Sequence, residues 1–233
     1  MIVGSRLSWT EDRNRWVEER VSRLRILAGT FFLTLLGASA VLVSSAATSQ
    51  TQAAATDVDP RLAFGSKNAP VTMEVFSDYQ CPACKTLYTT TYRQVMENYV
   101  SGGKVYLIHR DFPLPMHAHS RVAAQYARAA SRIGKFEPVE QSLFASQEKW
   151  EKTGDIDGTV AAVLSAAEMT KIRALVKGGT LEDAIKKDQE LGQMYRVTQT
   201  PTTIFHCKGQ TYPYAGVMSY EILRQFLDHL LSQ

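Results

Sequence analysis

Val71-Thr72-Met73-Glu74-Val75-Phe76-Ser77-Asp78-Tyr79-Gln80-Cys81-Pro82-Ala83-Cys84 decides the reading of this chain. Its first six residues are β-branched or apolar with one acid among them, the composition of a strand. Past Cys84, Lys85 to Tyr99 carries neither Gly nor Pro, and its apolar residues Leu87, Tyr88, Val95, Met96 and Tyr99 fall at roughly helical spacing. The two cysteines therefore stand where a strand ends and a helix opens. Unpaired N–H groups and the positive end of the helix dipole favour an anion there, so Cys81 is expected to ionise more readily than a free cysteine. Pro82 suits the first turn of the helix, where its missing N–H has no partner to lose. Cys84, one turn further in, is placed to close a disulfide with Cys81, and the pair reads as a dithiol redox site.

Working outward, Ser101-Gly102-Gly103 stops the helix and residues 104–109 read as a second strand. Asp111-Phe112-Pro113-Leu114-Pro115 leaves it as a loop, because two prolines cannot sit in a central ladder. From Ser120 to Tyr195 strand-like alternation is absent. Val122, Ala123, Tyr126, Ala127 and Ala130 keep helical spacing, as do Leu181, Ala184 and Ile185. Thr180 with Asp183 has the form of a capping box. The spacing predicts several helices, broken near Gly134, Pro138, Gly154 and Gly178-Gly179. Strands return at residues 202–206 and 210–214 around a Lys208-Gly209 turn. A last helix over residues 219–231 has an apolar face of Ile222, Leu223, Phe226, Leu227, Leu230 and Leu231. The pattern is α/β: a mixed sheet with flanking helices and a helical insertion at about 115–196.

In the other direction, residues 1–25 form a polar leader with six arginines, and residues 26–43 carry no charge. An apolar run behind arginines reads as a signal peptide or membrane anchor over residues 26–47, with the leader left in the cytoplasm. Ala38-Ser39-Ala40 and Ser45-Ala46-Ala47 resemble cleavage sites, and a start near Val21 would give the leader ordinary length. Residues 48–60 read as a flexible linker, and residues 61–233 as the folded domain. The net charge of +3 on 233 residues gives no basic patch for a nucleic acid. Three cysteines are too few for a disulfide-stapled scaffold.

Residues 76–84, the run Arg110-Asp111-Phe112-Pro113-Leu114 and Val197-Thr198-Gln199-Thr200-Pro201-Thr202 together resemble the DsbA-like branch of the thioredoxin superfamily. The resemblance covers roughly residues 61–233. It implies a thioredoxin-like fold in which Cys81 is the attacking and attacked sulfur and Cys84 the resolving thiol. It also implies that Pro201 is a cis-proline packed against the Cys81–Cys84 redox disulfide, with the Thr200 backbone free to pair with a substrate chain. Pro82 and Ala83 would tune the thiolate. The best-known oxidase of the branch has Pro-His there, and alanine lacks the imidazole, so a milder oxidant is expected. Glu74 resembles a buried acid that the family uses for proton traffic; a solvent-facing strand glutamate is the plain alternative.

By this resemblance the chain is an extracytoplasmic thiol–disulfide oxidoreductase, in the periplasm or on the outer face of the inner membrane. Its partners would be cysteine-containing exported proteins and a membrane or soluble redox partner, with membrane contact through residues 26–47 if they are not cleaved. No cofactor or metal is implied. A reductase or isomerase would use the same residues, and a metal-carrying dithiol or a peptide-binding module are further alternatives. His117-x-His119 with the two cysteines could be counted as metal ligands, yet exposed polar residues are the commoner meaning of such a pair. His206 and Cys207 follow Pro201 along a strand, roughly 17–20 Å from the sulfurs at about 3.3 Å per residue, too far to join them. Cys207 is then the odd cysteine, a free thiol near a hairpin turn or a site for intermolecular pairing, with burial as a small apolar residue the favoured reading.

Overall fold

The computed structural model describes residues 58–233. The leader, the apolar run and nearly all of the linker lie outside the described residues. Among the described residues, no helix is long and apolar enough to cross a membrane.

A five-stranded mixed sheet runs β1-β3-β2-β4-β5. Its strands are β1 (Ala63–Phe64), β2 (Val71–Ser77), β3 (Val105–Asp111), β4 (Thr202–Cys207) and β5 (Gln210–Ala215). Only β2 and β3 are parallel, in register from Val71 opposite Val105 to Ser77 opposite Asp111. The β2–β4 pair is antiparallel, Phe76 facing Thr202 and Val71 facing Cys207. The central strand is buried on both faces, so it reads as a nearly continuous apolar run. Pro213 is tolerated because β5 is an edge strand. The two-residue strand β1, antiparallel to β3, was too short to leave a periodic signal.

Helix α1 covers residues 82–100, opening as Pro82–Leu87 and carrying π-helical turns at Tyr88–Tyr92 and Met96–Val100. It covers one sheet face together with the C-terminal helix. Leu87, Val95 and Tyr99 meet Val71, Met73 and Val75 of β2 and Leu223, Leu227 and Leu230. Each such side chain, fully buried, stabilises the fold by about 1.5–3 kcal/mol.

The insertion comprises α2 (Ser120–Arg132), α3 (Phe136–Ala145), α4 (Gln147–Thr153), α5 (Ile156–Ala161), α6 (Ala166–Lys177) and α7 (Glu182–Met194), and α8 (Tyr220–Ser232) closes the chain. Pro138 does not break the insertion. It is the third residue of α3, in the first turn, where no N–H is needed. Nor do Thr180 and Asp183 form a capping box. Leu181, buried at 2% exposure, occupies the N-cap of α7 without a side-chain cap, so packing sets that start. The capping box is at Ser165 and Glu168, opening α6. Gly192 lets α7 approach the sheet: a Cβ there would lie 2.5 Å from the Phe112 ring.

The insertion has its own core, in which Trp150, Leu143, Phe144, Ile156, Met169 and Ile172 cluster with Tyr79, Cys81 and Cys84. The cysteines thus belong to the seam between insertion and sheet.

Candidate active site

β2 ends at Ser77 and the chain turns through Asp78, Tyr79 and Gln80 into α1. Cys81 is the N-cap, with φ −77° and ψ 121°, and Pro82 is in the first turn. The helix's own N–H groups thereby point at the Cys81 sulfur. Opposite it, Thr200-Pro201 is a cis peptide, and the Cys81 thiol donates to the Thr200 carbonyl at 3.2 Å. Residues 119 apart in sequence meet at this sulfur. Cys81, Cys84 and Cys207 are free thiols in this structure.

The two sulfurs of the pair are electrostatically opposite. A hydrogen bond from Cys84 brings Cys81 down to about 5, against the cost of burial, with help from the Thr200 side chain and the Cys84 and Ala83 N–H groups. The Thr200 hydroxyl is buried and has no hydrogen-bond partner among the described residues, so it is available to an ionised sulfur. Burial pushes the Cys84 thiol well up, and its neighbour Cys81 adds to the effect. Cys81 can attack and leave as a thiolate, while Cys84 holds its proton.

Three further side chains hold this junction, and none was given a role from the sequence; His117 was weighed as a metal ligand and read instead as an exposed polar residue. Asp78, 1% exposed, gives its N–H to the Cys84 sulfur at 3.4 Å. Its carboxylate accepts from Gln80 N at 2.7 Å, Ser120 Oγ at 2.5 Å, Leu114 N at 2.7 Å and His117 Nδ1 at 2.8 Å. His117 is therefore tied to Asp78 rather than to the sulfurs, and the His119 N–H goes to Gln80 Oε1. Gln147 donates from Nε2 to the carbonyls of Tyr79 at 2.7 Å and Cys81 at 3.1 Å. Among the described residues, no group of three or more His, Cys, Asp or Glu is arranged to hold a metal.

Glu74 is not solvent-facing. It is 2% exposed and lies 2.6 Å from Arg110 and 2.9 Å from His206. Burial opposes its ionisation, but His206 and Arg110 outweigh that and hold the carboxyl below the usual range. From Arg110 the ion pairs continue to Asp188 at 3.1 Å, on to Arg128, and from Arg128 to Asp111 at 2.5 Å. His109 ends the series between Asp111 and Glu140, at 3.1 and 3.2 Å. Burial disfavours its charge, yet the two carboxylates raise it to about 10. Cys207 is buried and donates weakly to the Leu230 carbonyl, apart from the junction.

A family model described as thioredoxin matches residues 57–229. Disulfide bond formation protein D of Bacillus subtilis strain 168 is 24% identical over 147 residues, which is 60% of this chain and 64% of that protein. The probable disulfide bond formation protein D of Bacillus cereus is 23% identical over 145 residues, 60% of this chain and 67% of that one. The match spans about two thirds of the length of either relative. Among solved structures, alpha-DsbA1 of Wolbachia pipientis superposes with a TM-score of 0.61 at 17% identity, covering 73% of this chain and 90% of that one. Oxidised BdbD of Bacillus subtilis gives 0.59 at 21% identity, covering 74% and 93%.

Proposed function

The chain belongs to the thioredoxin family, in its DsbA-like branch, and is a thiol–disulfide oxidoreductase; from that premise we propose that it oxidises cysteine pairs of exported proteins outside the cytoplasm. The observation that carries the direction is the contrast between the sulfurs, Cys81 brought down to about 5 and Cys84 pushed well up. A well-stabilised Cys81 thiolate favours the reduced enzyme, and that makes its disulfide an oxidant.

In the oxidised enzyme a substrate thiolate attacks the Cys81 sulfur. The Cys81–Cys84 bond breaks, a mixed disulfide forms, and Cys84 leaves with the electron pair and takes a proton. A second substrate thiolate then attacks the substrate sulfur of the mixed disulfide, and Cys81 departs as a thiolate. Two electrons pass from the substrate dithiol to the enzyme, and of the two substrate protons one ends on Cys84 and one in solvent. The Thr200 backbone beside the cis peptide faces the reacting sulfur and would hold the substrate chain by main-chain hydrogen bonds. A membrane or soluble redox partner then reoxidises the pair. The domain assignment that accompanies this reading is a leader over residues 1–25, a signal or anchor over 26–47, a linker over 48–60 and the redox domain over 61–233.

The test is turnover and trapping with a reduced peptide that carries two cysteines. Wild type should oxidise it stoichiometrically. Cys84→Ala, charged at Cys81 as a mixed disulfide with a small aromatic thiol, should pass Cys81 to the peptide and still release oxidised peptide. Wild type whose Cys81 alkylates with a midpoint at or above about 8.5, the ordinary thiol value, would sink the oxidase reading.

A further inference from the structure

We infer that Gln147 is a positioning residue for the redox pair, the point through which the helical insertion sets the ionisation of Cys81. The inference rests on the reading of Cys81–Cys84 as the redox dithiol and adds a residue to it. Gln147 is 1% exposed and sits at the first position of α4, 66 residues downstream of the cysteine it serves. A side-chain amide has two N–H donors. Its nitrogen here meets two carbonyls, Tyr79 O at 2.7 Å and Cys81 O at 3.1 Å.

The two carbonyls bracket the turn between β2 and α1. The Cys81 carbonyl also receives the Lys85 N–H at 3.1 Å, the first hydrogen bond of α1. Its direction is therefore set jointly by the helix and by Gln147. The same peptide geometry decides whether the Ala83 and Cys84 N–H groups aim at the Cys81 sulfur, where they favour the thiolate. With Gln147 absent, the Tyr79 and Cys81 carbonyls would seek other donors, and the turn would shift at the residue whose φ and ψ place the sulfur.

The next residue strengthens the attachment. Glu148 lies 2.9 Å from Lys85 on the first turn of α1. The start of α4 thus grips the active-site helix at the backbone through Gln147 and at the surface through Glu148. The indole N–H of Trp150, one turn on, donates to the Leu143 carbonyl at 2.7 Å and anchors α4 to α3. Hydrogen bonds thus tie α4 to α3 at one end and to the turn at Cys81 at the other.

The experiment measures alkylation rate against pH for the reduced protein, together with the reduction potential against a glutathione series and the melting temperature. Gln147→Met keeps the size and removes both donors. It should raise the Cys81 midpoint by about one unit, a tenfold loss of thiolate below the midpoint, and make the pair easier to oxidise. Leu143→Ala removes a fully buried side chain of the same insertion and keeps the main-chain carbonyl that the Trp150 indole uses. It should lower the melting temperature and leave the Cys81 midpoint in place. Gln147→Asn keeps the amide on a shorter stem and should fall between wild type and Gln147→Met.

A folded Gln147→Met with an unchanged midpoint and potential overturns the inference, as does an equal midpoint shift in Leu143→Ala. If Gln147→Met does not fold, the Gln147→Asn midpoint decides in the same way. If neither folds while Leu143→Ala does, Gln147 is purely structural and the inference is wrong. A wild-type Cys81 that titrates like an ordinary thiol would instead break the redox reading itself, and that outcome is visible before any variant is made.

Discussion

Two buried polar regions meet at Tyr79, and they answer the cost of burial in opposite ways. The redox junction meets the sulfurs with neutral groups, the Thr200 carbonyl and the Asp78, Ala83 and Cys84 N–H groups, and keeps the Gln147 amide and the Asp78 carboxylate off the sulfurs. Behind it, carboxyl groups face guanidinium and imidazole groups: Glu74, Asp111, Glu140 and Asp188 against Arg110, Arg128, His109 and His206. Tyr79 touches both. Its carbonyl is held by Gln147, while its ring stacks on His109 at 5.5 Å. Opposite partners favour the charged form at Glu74, Asp111 and His109, whereas burial pushes Glu140 and Asp188 up. Dipoles around a single sulfur shift its ionisation yet let it gain and lose a bond. A cavity of about 400 Å³ opens onto the ionic region, at Arg110, Arg128 and Asp188, and not onto the sulfurs. The ionic region is read as scaffold and the junction as the chemistry.

The hardest way to break that contrast is to unbalance the ions. Arg128 is 5% exposed and lies between Asp111 and Asp188. Arg128→Met leaves two buried carboxylates short of a partner, and removing one member of such a set costs about 3–5 kcal/mol. Chemical denaturation should show that loss in both the oxidised and the reduced protein, because the network contains no sulfur. A variant that is destabilised in only one redox form would join the two regions that the comparison separates.

Those regions were not equally legible in the sequence. The junction is local: a strand, Cys81-Pro82-Ala83-Cys84 and a helix follow one another, and Thr200-Pro201 opens the strand that returns beside β2. The ionic network is assembled from β2, β3, α2, α3, α7 and β4, with no spacing rule to link Glu74, Arg128 and Asp188. Arg110 and Asp111 stood in a motif, but their partners lay elsewhere. Gln147 left no signal, since one polar residue on a helical segment reads as surface until the tertiary structure buries it. Pro138 and Thr180 misled for a related reason. Local rules permit a break or a cap there, while packing of Phe136 and Leu181 decides where the helices start.

Titration sharpens the contrast, because the two regions respond to pH with opposite sign. His109 is raised to about 10, so its contribution is complete below its unfolded value of about 6.5 and is lost as pH rises toward its folded value. Cys81 is lowered to about 5, so in the reduced protein its contribution grows from there up to the unfolded value of about 8.5. Between pH 6.5 and 8.5 the oxidised protein should lose stability, with a slope of at most about 1.4 kcal/mol per pH unit. The reduced protein should lose less, since its thiolate offsets the imidazole, and solvent screening trims the offset. Denaturant midpoints of the two redox forms at half-unit steps of pH would display this. Parallel curves would mean that Cys81 does not titrate as its surroundings dictate.

The smallest expected effect is also the sharpest, because it falls on the one residue for which both regions compete. Glu74 resembles a proton-handling acid of the family, yet its contacts place it with the ions: Arg110 at 2.6 Å and His206 at 2.9 Å. A carboxyl held below its usual range by those partners keeps its charge over the working pH range and has no proton to lend. Glu74→Gln keeps an acceptor for Arg110, which also retains Asp188, so the change removes one charge from a network without emptying a partner's surroundings. A loss of about 1–3 kcal/mol is expected, the cost of one charged hydrogen bond. The Cys81 alkylation midpoint and the pH profile of peptide oxidation should remain those of wild type. If instead stability is unchanged and the pH profile of oxidation moves, Glu74 passes protons to the sulfurs. The ionic region would then be part of the chemistry, and the division between scaffold and junction would fail at β2.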